Sequence, residues 1–283
     1  MGGGQGPHAP GPPPKTYLNL MDFLAKIVAR KLEESLRLFE SGVMEEFKAA
    51  IAARPAPLSL QAALEGAAFP AIIAEVKLAS PSKGDFGVKW DPVELAEIYQ
   101  DNGAAAISVL TETAYFKGDP DFIRRMRPLV RLPLLRKDFI LEPIQVYETA
   151  ALGADALLLM VSLLSLGQLR ALLLLSRSLG LEALVEVHTQ AEMHTALSAG
   201  ARLIGINARD LHTFKMYPDR PLELAPLAPE GVTLVAASGL NTRADLERVG
   251  AAGIKAFLIG ETLVTSEDPG RKLRELLAVS SNQ

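Results

Sequence analysis

Ala71-Ile72-Ile73-Ala74-Glu75-Val76-Lys77 is a short apolar run that ends in two ionisable residues, and its reading decides the fold. Consecutive apolar residues without polar alternation describe a strand buried on both faces, as in a parallel sheet covered by helices. Side chains alternate along a strand, so Glu75 and Lys77 share the face of Ile73. The same order recurs down the chain. Leu134-Leu135 precedes Arg136-Lys137-Asp138-Phe139, Ala183-Leu184-Val185 precedes Glu186-Val187-His188, and Leu203-Ile204-Gly205-Ile206 precedes Asn207-Ala208-Arg209-Asp210. A further apolar run ends in Ser238-Gly239. Polar groups at the carboxyl ends of buried parallel strands mark the working face of an α/β barrel.

Outward from these fragments, strands are expected near 71–76, 105–110, 133–137, 156–161, 183–187, 203–207, 233–237 and 256–260, with amphipathic segments between them. Eight strands in this alternation predict an α/β fold, a (β/α)8 TIM barrel. An open doubly wound sheet shares the same periodicity. The loop Lys77-Leu78-Ala79-Ser80-Pro81-Ser82-Lys83-Gly84 lacks the G-x-G-x-x-G spacing of dinucleotide binding. Helix starts are marked by Asp91-Pro92, Glu142-Pro143, Ser165-x-x-Gln168 and Thr189-x-x-Glu192, where a side-chain oxygen or an N-terminal proline suits the first turn. Ahead of the first strand, Phe23, Ile27, Leu32 and Leu36 recur at helical spacing within Leu20–Phe39, and a second helix is expected over Val43–Ala53. The resulting layout is a Gly/Pro-rich tail without ordered structure (1–16), an N-terminal helical extension (17–60) and the catalytic barrel (61–283).

Composition narrows the function. Lysine plus arginine number 29 against 33 acidic residues, so no basic field exists to hold nucleic acid. The most apolar stretch, Ala156–Leu164, is interrupted by Ser162 and is far shorter than a membrane span. There is no cysteine, and the four histidines His8, His188, His194 and His212 show no ligand spacing, so neither a disulfide nor a metal site is expected. A cytoplasmic protein, acting as a monomer on a small molecule, is the expectation.

The strand ends supply the chemistry. Glu75 and Lys77 form either a rim ion pair or a working pair at the barrel mouth. Either Arg136 or Lys137 faces inward, and the sequence leaves open which; an inward lysine serves as a general acid or a Schiff-base amine. Glu186 sits among apolar strand residues, where an unpaired carboxylate costs several kcal/mol, so it is a general base or the partner of Lys137 or Arg209. His188 lies one step further into the loop and is expected to face solvent. Asn207 and Arg209 offer directed donors to hydroxyls and anions. Ala237-Ser238-Gly239 and Ile259-Gly260-Glu261-Thr262 place glycines at the ends of the last two strands, where backbone amides approach a phosphate.

Together the fragments resemble the indole-3-glycerol phosphate synthase family, whose strands carry E-x-K-x-x-S-P-S, K-D-F, E-[IV]-x, I-[GN]-[IV]-N-x-R-D-L and A-E-S-G. They stand here as Glu75–Ser82, Lys137–Phe139, Glu186-Val187, Ile204–Leu211 and Ala236–Gly239, in order between residues 20 and 280. The resemblance implies ring closure of 1-(2-carboxyphenylamino)-1-deoxyribulose 5-phosphate with loss of carbon dioxide and water, without a cofactor. It implies Lys137 as the general acid, Lys77 on the substrate carboxylate, Glu186 as the base of dehydration, and Glu75 and Asn207 as positioning groups. Phosphate is expected on the amides of Ser238, Gly239, Gly260 and Glu261, with Ser80 and Arg209 lining the site. Two positions depart from the pattern: the glutamate of A-E-S-G is Ala237, and Leu78 stands where many relatives are basic. Ala237 leaves open a barrel that binds substrate but turns it over poorly. A Schiff-base lyase or aldolase using Lys137, and the barrel isomerase of phosphoribosylanthranilate, are further readings.

Overall fold

The computed structural model describes residues 15–211 and 213–278; residues 1–14 of the segment expected to be unstructured, and His212, lie outside the described residues. Eight parallel strands close into a barrel: β1 Ala71–Val76, β2 Ala106–Leu110, β3 Leu134–Lys137, β4 Ala156–Met160, β5 Glu182–Val187, β6 Leu203–Asn207, β7 Thr233–Ala237 and β8 Ala256–Ile259. Each strand pairs with its neighbours in sequence, and β1 with β8 seals the ring through Ala71↔Ala256 to Ala74↔Ile259. Closure decides against the doubly wound alternative, because an open sheet leaves two edges unpaired and this one leaves none. The strands fall within a residue of their expected bounds.

Alternation divides the core in two. Ile72, Ala74, Val76, Ile107 and Val109 face the surrounding helices, while Ile73, Ala106, Leu135, Leu158, Leu184 and Leu258 fill the barrel interior. Helices follow the strands: α4 (Pro92–Asp101), α5 (Asp121–Met126), α6 (Pro143–Leu152), α7 (Leu166–Ser178), α8 (Gln190–Ala199), α9 (Arg220–Leu224), α10 (Arg243–Gly250), α11 (Glu261–Val264) and α12 (Pro269–Leu277). Their starts obey the expected chemistry. Asp91 accepts from Val93 N at 2.8 Å while Glu94 accepts from Asp91 N at 3.1 Å. Gln145, in the first turn of α6, accepts from Leu141 N and Glu142 N and donates to the Phe139 carbonyl. That one buried amide satisfies the backbone of the loop leaving β3 and holds it still.

Three helices precede β1: α1 (Lys15–Glu40), α2 (Met44–Ala53) and α3 (Leu60–Gly66). The second matches expectation; the first begins five residues early, so that Lys15 and Thr16 of the expected tail belong to the helix, and α3 is an addition. Ser59 caps α3, and Glu182 accepts from Ser59 Oγ and Gln61 N, each at 2.7 Å, so α3 is fastened to the start of β5. Leu60 and Leu64 are fully buried in the inner core and close the bottom of the barrel. The sequence suggests that α1 is a mere appendage, yet it roofs the mouth. Phe23 packs edge-on against Tyr115 at 4.6 Å and Phe214 at 5.6 Å, on loops that follow β2 and β6.

A buried charge network ties α1 to the loop after β3. Lys31 Nζ, 4% exposed, lies 2.9 Å from Asp138 Oδ1, and Thr111 Oγ1 donates to Asp138 Oδ2 at 2.6 Å. Arg136, 2% exposed, reaches Asp138 at 3.2 Å and Glu148 at 2.7 Å. Burial opposes the charge on Asp138, but Arg136, Lys31 and Thr111 together hold its carboxyl below the ordinary range. Truncating one member of such a network leaves a charge buried with too few partners. Lys31→Met is therefore expected to lower unfolding free energy by about 2–3 kcal/mol, at or just below the bottom of the range for breaking a buried pair, because Arg136 and Thr111 still hold Asp138. An unchanged urea midpoint would show that the network contributes nothing.

Candidate active site

Register brings the strand ends together. Glu75 aligns with Ser108, Leu110 with Lys137, Met160 with Glu186 and Asn207 with Ala237 around the mouth. The choice between Arg136 and Lys137 is settled by this arrangement. Arg136 turns outward into the charge network beneath α6, and Lys137 turns inward, 18% exposed, with Nζ 3.4 Å from Glu186 Oε2. The reason lies with partners: Asp138, Glu148, Thr149 and the Gln145 carbonyl together occupy the guanidinium outside the barrel.

Glu186 is the hub. Its Oε1 accepts from Asn207 Nδ2 at 3.1 Å. Asn207 is aimed by its own carbonyl oxygen, which accepts from Ser238 Oγ at 2.8 Å and from Arg209 N at 3.0 Å, leaving the amide nitrogen toward Glu186. Burial would push the Glu186 carboxyl up, but Lys137, His188 and Asn207 together hold it below the usual carboxylate range. Burial likewise works against charge on Lys137, yet Glu186 and Glu75 raise its pKa above that of an ordinary lysine. The second pair, Lys77 Nζ and Glu75 Oε1, stands 3.1 Å apart, with Ser108 Oγ donating to the other Glu75 oxygen at 3.4 Å.

These pairs border two joined spaces. The inner chamber is lined by Leu110, Phe116, Phe139, Leu158 and Met160 on its apolar side and by Lys77, Lys137, Glu186 and Asn207 on the other. Ala237 lies in its wall, and Ser80, a buried hydroxyl without a hydrogen-bond partner, borders this chamber rather than the outer space. The outer space follows the ends of β7 and β8 and is lined by Lys83, Arg209, Ser238, Gly239, Gly260 and Glu261. Ser238 and Gly239 have φ of 70° and 73°, a conformation that turns the backbone sharply at the strand end. A side chain at Gly239 would meet the Met216 methyl group, and one at Gly260 would displace the Glu75 carboxylate. The Glu261 carboxylate pairs with Lys83 and lies 4.0 Å from Arg209.

One expectation is overturned. His188, expected to face solvent, is 7% exposed, with Nδ1 3.3 Å from Glu192 and Nε2 3.5 Å from Glu186. The cause is local: Thr189 caps α8, and Glu192 in its first turn reaches back to accept from His188 N at 2.7 Å, folding the ring inward. The capping spacing Thr189-x-x-Glu192 was a legible signal for this; Phe116, Phe214 and Lys31 had no comparable mark, because their places depend on loops and on α1.

Ammonium groups held by carboxylates beside a largely apolar chamber are machinery for moving protons. Set at the carboxyl ends of a closed parallel barrel, they define a barrel enzyme acting on a small molecule. Its kind follows from its relatives. The sequence profile of the indole-3-glycerol phosphate synthase family matches residues 24–276, and the chain belongs to that family. It is 50% identical over 226 residues to the indole-3-glycerol phosphate synthase of Carboxydothermus hydrogenoformans, covering 78% of this chain and 86% of the relative. It is 41% identical over 264 residues to that of Albidiferax ferrireducens, covering 92% and 100% respectively. Solved structures share the fold at low identity. One is 3-hexulose-6-phosphate synthase from Salmonella typhimurium, with TM-score 0.59, 10% identity, and coverage of 73% of this chain and 96% of that one. Another is thiamine phosphate pyrophosphorylase from Pyrococcus furiosus, with TM-score 0.57, 16% identity, and coverage of 74% and 94%. Among the described residues no helix is long and apolar enough to cross a membrane.

Proposed function

We propose that this chain closes the indole ring of 1-(2-carboxyphenylamino)-1-deoxyribulose 5-phosphate, releasing carbon dioxide and water to form indole-3-glycerol phosphate. The observation that carries the assignment of roles is the convergence of Lys137, Glu186 and Asn207 at the wall of one apolar chamber. The anilino ring lies against Leu110, Phe116, Phe139, Leu158 and Met160, and the phosphate reaches the outer space. There the amides of Ser238, Gly239, Gly260 and Glu261 and the side chains of Arg209 and Lys83 face it; for the fully charged phosphate to approach, the Glu261 carboxylate yields its two cations.

Lys137, kept charged by Glu186 and Glu75, protonates the ketone as the ring carbon attacks it. Lys77 holds the carboxylate that leaves as carbon dioxide, and Glu75 keeps its ammonium in place. Glu186 then takes the proton lost in dehydration, steadied by Asn207. A Schiff base at Lys137 needs a neutral amine, which the two carboxylates oppose. Conversion of the anilino sugar phosphate to a fluorescent indole product tests the proposal; no product at high enzyme concentration would end it.

Ala237 bears on rate rather than on identity. The proton carriers assemble without a carboxylate at that position, so Ala237→Glu is expected to change kcat by less than about tenfold, below the range of a lost acid or base. A gain of a hundredfold or more would mean that the parent chain is a catalytically impaired barrel.

A further inference from the structure

The loop that leaves β2 holds an acid of a different kind. Glu112 is 1% exposed, although Thr113 and Ala114 beside it lie open to solvent. The buried acids Glu75, Asp138 and Glu186 each sit against an ammonium or guanidinium group, whereas Glu112 is held by backbone. Its Oε1 accepts from Ala114 N at 2.9 Å, and its Oε2 accepts from Tyr115 N at 2.8 Å and from Phe116 N at 3.1 Å. The Glu112 carbonyl accepts from Gly118 N at 2.8 Å, so one residue closes the loop through both its side chain and its main chain. Lys117 completes the turn with φ of 54°, a conformation uncommon for a residue other than glycine.

Three consecutive N–H groups turned toward one carboxylate fix the directions of the side chains they carry. Tyr115 meets Phe23 of α1 at 4.6 Å between ring centroids, and Arg30 of the same helix donates to Thr113 Oγ1 at 3.0 Å. Phe116 turns the other way, 6.3 Å from the Phe139 ring, into the wall of the inner chamber. That aromatic wall is held in place by the protein's own groups.

We propose that Glu112 is a positioning residue for the aryl ring: by keeping its loop in the binding form, it lets Phe116 receive the anilino group and so sets the preference for an aryl-bearing substrate. The proposal rests on the reaction assigned above. Glu112 reaches the ring only through Phe116. A loop that has to be ordered at each encounter opposes binding with its conformational entropy, and a loop already ordered does not. Once formed, either loop presents the same surface. The loss therefore falls on KM, while kcat depends on Lys77, Lys137 and Glu186 from other strands.

Glu112→Gln keeps the side chain's shape but replaces one acceptor with an amide NH2, which faces a backbone N–H it cannot bond. KM for the anilino sugar phosphate is expected to rise about tenfold, the low end for a lost hydrogen bond to a charged group, with kcat within about threefold of the parent. Competitive inhibition by inorganic phosphate, which needs the outer space and no aromatic wall, is expected to keep its parental constant; general damage to the barrel would weaken both. In a Phe116→Ala background, Glu112→Gln is expected to add less than about twofold to KM, since the ring through which it acts is gone. If Glu112→Gln fails to fold, Glu112→Asp is read by the same measurements, its shorter carboxylate expected to raise KM about threefold. A parental KM in the folded variant, an equal weakening of phosphate, or a rise in KM that persists without Phe116 overturns the assignment. A parent chain that makes no indole product overturns the reaction and this role with it; a productive parent whose Glu112 variants keep its KM overturns the role alone.

Discussion

Lys137→Met is expected to lower kcat by about 10³–10⁴, the upper part of the range for a missing general acid, while KM moves little. Methionine keeps the bulk of the stem in the chamber wall, so the anilino ring retains its surface. The variant also unbalances Glu186. With the ammonium gone, burial still pushes that carboxyl up, and only Asn207 and His188 hold it down. The acid limb of any residual activity is therefore expected to shift to higher pH. Steady-state fluorescence across pH gives both numbers, and a kcat within tenfold of the parent would remove Lys137 from the chemistry.

Glu186→Gln is expected to reduce indole formation by about 10²–10³, within the range for a lost general base, and to do so unevenly across the reaction. Glutamine keeps the length and an oxygen for the Asn207 amide, so the chamber holds its shape. Ring closure and decarboxylation depend on Lys137 and proceed; dehydration, which needs the base, stalls. Single-turnover release of carbon dioxide ahead of indole fluorescence is the expected signature, and equal slowing of both would place Glu186 elsewhere in the sequence of steps.

The parent's pH dependence follows from the same pairs. Glu186 and Asp138 have carboxyls held below their ordinary values, so the stability they contribute is present above the unfolded carboxylate range, about pH 4. It is lost as pH falls through their lower folded values. Lys31 and Lys137 are raised, so their contribution is complete below the unfolded lysine value of about 10.4 and is lost only above it. A flat stability profile across neutral pH with losses at both extremes is the corresponding expectation.

Strand positions and the working face were readable because both depend on short-range order. An apolar run that ends in a polar pair announces a buried strand and its carboxyl end whatever lies elsewhere in the chain, as at Ile72–Lys77 and Leu203–Asp210. Alternation also put Glu75 beside Lys77, and their ion pair follows from spacing alone. Arg136 and Lys137 mark the limit of such reasoning. Adjacent strand residues must face opposite ways, but nothing between them says which is inside.

That question was decided by side chains distant in sequence: Lys31, Thr111 and Glu148 build an outer network that suits a guanidinium, and Glu186 waits inside for an ammonium. Tertiary packing alone likewise drew α1 across the mouth. Periodicity and capping are properties of neighbours along the chain, so the amino-acid order settles the barrel, its helix starts and the list of reactive groups. Pairing among buried charges is a property of neighbours in space, stabilised only once the closed ring has excluded water, so the partners of each group emerge with the fold.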